Sequence, residues 1–359
     1  MNGVKQWLSI DPLDTLFFRG SEPMIAGESH EVRSIFPPMP STVVGAIRTA
    51  ILRQRGIEPT GLAGQDREMS GEFTFLGTPG KSGFDVLGPL LEVEVNRGET
   101  DRLVPAPAHW FADLSEAGTK PAGNFEVRVS VADELPSDLK ASLGLCGSVA
   151  NPIWTAAPTR PNLKSLSGSW VNLSALQCGC SSAFRVNLGK DLDALVPSSP
   201  ALVRPESLYS SEIRVGIALE AETRRVRQGR LYSAAHVRLR HGVRMVVGLS
   251  HELCPGHLDD SGLLHLGGEQ RFAAYRRMTA VPLIPLSQSP WVMSLSPFEY
   301  DFLNTQGWGG LHRASGPLIR MGGWDMLEGF HKPIRSFLPA GTAVKVGVDA
   351  EIPFGFIRI

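Results

Sequence analysis

The chain has 359 residues and 42% hydrophobic content, which suits one large or two medium domains with packed cores and excludes a disordered chain. A net charge of −1 excludes a surface that coats nucleic acid all round, so any nucleic-acid contact has to be local. Four cysteines do not make a disulfide framework, no apolar run approaches the roughly 18–20 residues of a membrane helix, and Met1–Trp7 carries no signal-peptide pattern, so a cytoplasmic protein is expected.

In chain order, residues 8–19 read as a strand that delivers Arg19 to a loop holding His30 and Arg33. Pro37, Pro38 and Pro40 argue against helix through residue 40. Ser41 or Thr42 then offers an N-cap oxygen to a helix over 42–54. Val44, Ile47 and Ile51 share one face of it, with Arg48 at the edge of that face and Gly56 as a stop. Residues 77–82 resemble the end of a phosphate-binding loop. Phe75, however, stands where the first glycine belongs, Pro79 removes a loop N–H, and Gly83 follows instead of a helix, so nucleotide binding is not expected there.

Residues 91–95, 125–131 and 213–220 alternate as half-buried antiparallel strands do. A short helix is expected over 137–143. Residues 237–240 and 243–247 flank His241-Gly242 and read as a hairpin. The stretches 56–90 and 144–205 read as irregular, and the chain restarts near residue 200, giving expected domains of 1–200 and 201–359. Final strands are expected around 343–348 and 352–358. No period of about 20–50 residues is visible, which argues against a solenoid.

Between Arg224 and Arg244 stand seven arginines and no acid, either an RNA-facing or a solvated hairpin face. Cations and rings interleave at Arg230-Leu231-Tyr232 and from Arg271 through Tyr275 to Arg277, a pattern that suits phosphates and splayed bases. Lys332 and Arg335 add positive charge after the glycines at 307–310 and 322–323. His251, Cys254 and His257, with His265 nearby, are zinc-ligand types, but Pro255-Gly256 marks a turn and the segment is read as a structural loop without metal. His30 lacks an evident titratable partner, so RNA contact or packing is the better reading than acid–base work. No paired-carboxylate, Gly-x-Ser-x-Gly or His-Glu-x-x-His pattern appears. Neither an enzyme nor a cofactor is expected.

Four blocks together resemble a known family: 12–19 with 22–28; 36–48; 214–217 through 229–232 with 266–269; and 323–325 with 338–342. They are similar to the RAMP-superfamily subunit of type III-B CRISPR (Cmr) effector complexes that holds the 5′ tag of the guide RNA. The resemblance covers roughly half of the chain, at both ends. It implies an α+β protein with two ferredoxin-like (RRM-related) domains carrying long loop insertions. It also implies a non-catalytic role in antiviral defence, beside a large cyclase/polymerase-type subunit and a RAMP backbone subunit. On that reading Arg19, His30, Arg33 and Arg48 line an N-terminal RNA groove, while Arg224, Arg225, Arg227, Arg230 and Tyr232 hold phosphates and a base from the second domain. Arg271, Tyr275, Lys332 and Arg335 complete the expected RNA set. The alternative within the same superfamily is an endoribonuclease that processes CRISPR RNA.

Overall fold

The computed structural model describes residues 3–21, 32–58, 71–78, 81–96, 98–115, 125–145, 153–155, 162–179, 183–187, 192, 195, 199–220, 222–223, 225–254, 256–279, 288–325 and 330–359. The protein is a strand-rich α+β molecule with few helices.

The opening strand Gln6–Pro12 sits between Val243–Leu249 and Phe272–Met278, and Val243–Leu249 in turn pairs with Val86–Asn96; all three pairings are antiparallel. The helix Pro40–Gln54 lies in the chain between Gln6–Pro12 and Val86–Asn96 and covers one sheet face. Val43, Ile47 and Ile51 of the helix are buried against Leu8, Ile10, Leu91, Val93, Met245 and Val247 of the sheet. Alternate residues on each strand supply this core because successive side chains point to opposite faces. Ser261–His265 extends the sheet at one edge. At the other it continues through Glu99–Pro105, Trp170–Asn172, Ala201–Val203, Ala183–Asn187 and Phe125–Arg128, ten strands in all.

A second sheet orders Phe356–Arg358, Trp291–Ser294, Ala343–Lys345 and Arg313–Ala314 side by side, again antiparallel. Numbered along the chain, the four strands of this sheet lie in the order fourth, first, third, second. In the large sheet, Phe272–Met278, Gln6–Pro12, Val243–Leu249 and Val86–Asn96 lie side by side in that same order. In both, a helix follows the first strand (Pro40–Gln54; Phe302–Thr305). In both, a long hairpin is inserted between the second and third: Tyr209–Leu219 with Val226–Leu239, and Ile319–Asp325 with Phe330–Leu338.

Three expectations change. The helix starts at Pro40, with Met39 as N-cap and no side-chain capping bond, so neither Ser41 nor Thr42 caps it. Proline at the first helical position loses only an N–H that has no intrahelical partner, and its φ is already set for the helix. His241-Gly242 makes a turn, Gly242 having φ +76°, but the strands it joins are not a hairpin. Val226–Leu239 pairs with Tyr209–Leu219, whereas Val243–Leu249 enters the large sheet. Finally, the stretch 144–205, expected to be irregular, contributes three strands to the large sheet. Buried Asn172 organises them: its side-chain oxygen accepts from Ala175 N and Ala201 N, both at 3.0 Å, and its amide donates to Ser199 O at 2.7 Å and Asp101 Oδ2 at 2.8 Å. One polar side chain thus satisfies a first-turn amide of the helix Leu173–Cys178 and backbone groups at the start of the strand Ala201–Val203.

Candidate nucleic-acid interface

Gly45 lies on the exposed side of the long helix, and a Cβ there would meet nothing within 4 Å. Two clefts meet at this residue. The first, of about 280 Å³, is bounded by Phe17, Arg19, Thr49, His265, the Gly267-Gly268 turn and Met321 of the second hairpin. The second, of about 620 Å³, runs past Arg48 to Phe298, Phe302, Lys332 and Phe356. Arg19 thus lines the first cleft and Arg48 and Lys332 the second, with aromatic rings among their walls.

Arg48 is half-buried and donates from Nη2 to Thr78 O at 2.8 Å; burial lowers its pKa below the ordinary guanidinium value. The bond ties the helix to the turn at 77–82. Gly77 pairs there with Ser82 at φ +71°, and a Cβ on it would lie 2.3 Å from Lys81 O. The tight turn leads into the strand Val86–Asn96, so the phosphate-loop likeness of these residues reflects turn chemistry.

The first hairpin presents a second surface. Arg225 is exposed at its tip. Tyr232 lies directly over Gly216 of the paired strand, where a Cβ would come within 2.2 Å of the ring; glycine is what lets the tyrosine lie flat across the hairpin. Arg227 and Arg230 fall on the strand Val226–Leu239. Arg33 is exposed on the short strand Val32–Arg33, which pairs with that same strand at Ala235. His30 and Arg224 lie outside the described residues.

At its base the hairpin is bolted to the opening strand by charge. Asp14 takes Arg214 Nη2 at 3.0 Å, Arg238 Nη2 at 3.0 Å and Arg271 Nη1 at 3.1 Å. Glu212 holds Arg214 and Arg238 from the other side, at 2.8 and 2.7 Å. The bond from Arg214 holds the Asp14 carboxyl down at about 2, helped by Arg238 and opposed by burial. Arg271 is therefore engaged inside the protein. Tyr275 is 2% exposed beneath the long helix and its hydroxyl accepts from Gln54 Nε2 at 2.8 Å, so the expectation that it stacks on a base is corrected. It sits on the helix-facing side of its strand, where alternation makes it core. Arg335 pairs with Glu299 at 2.7 Å on the second hairpin.

The sequence reading missed Asp14, Glu212, His236 and Glu269. Asp14 and Glu269 fall within the blocks that carried the resemblance, but nothing local signals that Asp14 has partners 200 or more residues away or that Glu269 meets His236 of the first hairpin. In the histidine loop, Cys254 Sγ lies 3.3 Å from His257 Nδ1, and His251 and His257 both pack on Phe75. Among the described residues no group of three metal-ligating side chains forms, and no helix is long and apolar enough to cross a membrane.

The fold and clefts define a strand-rich α+β protein in which four strands of the large sheet and the four of the second sheet share one order, with cationic side chains beside two adjoining clefts and an arginine-bearing hairpin. The CRISPR-associated protein (Cas_Cmr3) family matches residues 8–299, and the chain belongs to that family. It is a Cmr3-like subunit of the type III CRISPR effector class. No curated protein matches it. Among solved structures, it is similar to a chain of the type III-B Cmr-beta complex bound to cognate target RNA. The identity is 17% and the TM-score 0.49, covering 95% of this chain and 86% of that one. It is also similar to a chain of the Csm3–Csm4 subcomplex of the type III-A CRISPR-Cas interference complex, at 11% identity and TM-score 0.40, covering 98% and 96%. Likenesses of this size carry no functional assignment.

Proposed function

We propose that this protein is a non-catalytic subunit of a type III-B CRISPR effector complex that holds the 5′ tag of the guide RNA. In this reading it bridges the large cyclase/polymerase-type subunit to the RAMP backbone subunits, in the cytoplasm, in antiviral defence. The observation that carries the reading is the groove across Gly45. A helix with no side chain at that point lets a polynucleotide backbone come close, and Arg19 lines one of the two clefts that meet there, Arg48 and Lys332 the other. The hairpin adds Arg225 at its tip and Tyr232 as a ring for stacking, and the sequence beside Arg225 supplies Arg224, Arg227 and Arg230.

The shared strand order supports two ferredoxin-like units, each with a hairpin insertion. The expected division into 1–200 and 201–359 is kept as part of this proposal in a loose sense. The second segment returns strands to the first segment's sheet, and the second unit's own four strands occupy 291–358.

The test is recovery of the tagged protein from its native host, with sequencing of the bound RNA and mass spectrometry of its partners. Mature guide RNAs with one shared 5′ tag, together with a large cyclase-like protein, are expected. Replacing Arg224, Arg225 and Arg227 by glutamate should strip that RNA from the assembled complex; full retention sinks the hairpin assignment. A specific cut in repeat RNA by the pure protein without metal would replace the reading with the processing nuclease.

A further inference from the structure

The loop that closes the first cleft is held in an unfavourable backbone conformation. Glu269 and Gln270 have φ of +54° and +53°, and they are the only non-glycine residues with positive φ among those described. Each adopts the left-handed region against the clash of its own Cβ. Such a conformation persists only where surrounding contacts over-determine it. Those contacts run in a closed circuit. His236, at the base of the first hairpin and fully buried, has Nε2 2.9 Å from Glu269 Oε2. Its Nδ1 lies 3.2 Å from Thr15 Oγ1. Its ring stacks on Phe17 at 5.1 Å between centroids. The carbonyl of Phe17 accepts from Gly268 N at 2.8 Å, and Leu266 N donates to Arg271 O at 2.9 Å, which closes the turn. Gly267 fits because a Cβ there would lie 2.5 Å from Phe17 O. Arg271 reaches Glu269 at 3.7 Å and so braces the same carboxylate.

Each link is modest, but the circuit joins three segments far apart in sequence: the loop after the opening strand, the hairpin base and the turn 266–271. The base of the hairpin therefore has a fixed connection to the wall of the first cleft. We propose that His236 and Glu269 are positioning residues that set the Gly267-Gly268 wall of the first cleft for a single-stranded RNA nucleotide, and so couple the hairpin to that cleft. The inference rests on the guide-RNA reading for the identity of the ligand, but not for the geometry. Burial disfavours the charged form of the imidazole while Glu269 favours it. A glutamine at 236, with an amide nitrogen to face Glu269, can replace the neutral ring's donor.

The experiment uses the full-length protein. Amide exchange at Leu266 and Gly268 reports the wall directly, without RNA. His236→Ala and Glu269→Ala should both speed exchange there, and His236→Gln should restore it. Affinity is read with a fluorescent single-stranded RNA of about eight nucleotides, a length in the range such grooves accept. His236→Ala should weaken binding about tenfold, with His236→Gln close to wild type. Gly45→Trp, which fills the cleft, should weaken binding too, and adding His236→Ala to it should then cost nothing more. A general loss of stability predicts additive losses instead, and that outcome overturns the proposal. Unchanged exchange in both alanine variants overturns it as well, as does altered exchange with wild-type affinity. If the wild-type protein binds no RNA, the guide-RNA reading and the ligand named here fail together, while the exchange data still decide whether the two residues position the wall.

Discussion

Asp14 Oδ2 lies 3.0 Å from Arg214 Nη2, joining the end of the opening strand to a hairpin 200 positions further along the chain. Arg238 and Arg271 converge on the same carboxylate. Because Asp14 has a depressed folded pKa of about 2, its contribution is present above the carboxylate's ordinary pKa and is lost as pH falls from about 4 towards 2. The group is nearly half exposed, so screening limits the contribution to about 1 kcal/mol or less. Thermal melts of Asp14→Asn against wild type should diverge above pH 4 and converge near pH 2. A constant gap across that range would show that the ion pairs are not what Asp14 supplies.

Glu92 has the opposite setting. Its side chain is 2% exposed, between Arg102 at 2.9 Å and Arg244 at 2.6 Å, directly across from each on the neighbouring strands. Removing the carboxylate leaves two close cations without their shared counter-charge. Breaking such a buried arrangement costs about 3 kcal/mol. Urea unfolding of Glu92→Ala should show that loss, and Glu92→Gln, which keeps the shape, should recover only part of it.

His109 is buried against Trp291, ring centroids 4.5 Å apart, and burial pushes its pKa down to about 3, against a small upward pull from Asp133. The unfolded chain binds a proton here near pH 6.5 and the folded one does not until about pH 3. Stability should therefore fall as pH drops through that window, by at most about 1.4 kcal/mol per pH unit from this group. His109→Phe should flatten this part of the stability–pH curve, measured by denaturant unfolding at intervals from pH 7 to pH 4.

Gly45 stands in the exposed interior of a 15-residue helix with open space at its missing Cβ. Gly45→Ala should stabilise the protein by about 0.5–1 kcal/mol, since glycine carries that entropic cost in a helix. If the groove is the RNA path, larger residues there should weaken RNA binding while keeping the raised melting temperature of the alanine variant. A melting temperature that falls with alanine would show that the helix backbone is constrained in some way that alanine does not tolerate.

The number of phosphates held should also be readable from salt dependence. Removing one cation that neutralises a phosphate of a single strand reduces the slope of log K against log salt by about 0.7. Lys332→Ala should change the slope by about that amount if the residue touches phosphate, and leave it unchanged if it only lines the cleft.

Much of the local structure is legible in the sequence. Alternation marks the strand at 91–95, and the spacing of Ile47 and Ile51 marks the buried face of the long helix, because in both one side of the element meets the core. The same alternation marks the strand over 213–217, but there the apolar side, with Ile213, Val215 and Ile217, is exposed and the expected half-burial is not met. The helix start departs from expectation because proline is excluded from helix interiors but not from the first position. His241-Gly242 is a turn, as its residues indicate, but it does not close a hairpin. Turn chemistry sets a reversal and does not say which sheet the next strand joins.

The arginines show where sequence reading stops. Composition and order of residues determined that this chain has a packed strand-rich core, carries its positive charge in local clusters, and holds the blocks that mark its family. They could not sort the arginines, because a guanidinium facing solvent and one facing Asp14 look alike in a string of letters. The fold decided that. It brought Asp14 to Arg214, Arg238 and Arg271, Glu212 to Arg238, and Glu92 to Arg244. It also set Arg19 beside one cleft and Arg48 and Lys332 beside a second that shares Gly45 with it. Long-range strand order, not local propensity, fixes which charges meet, and only the tertiary structure contains it.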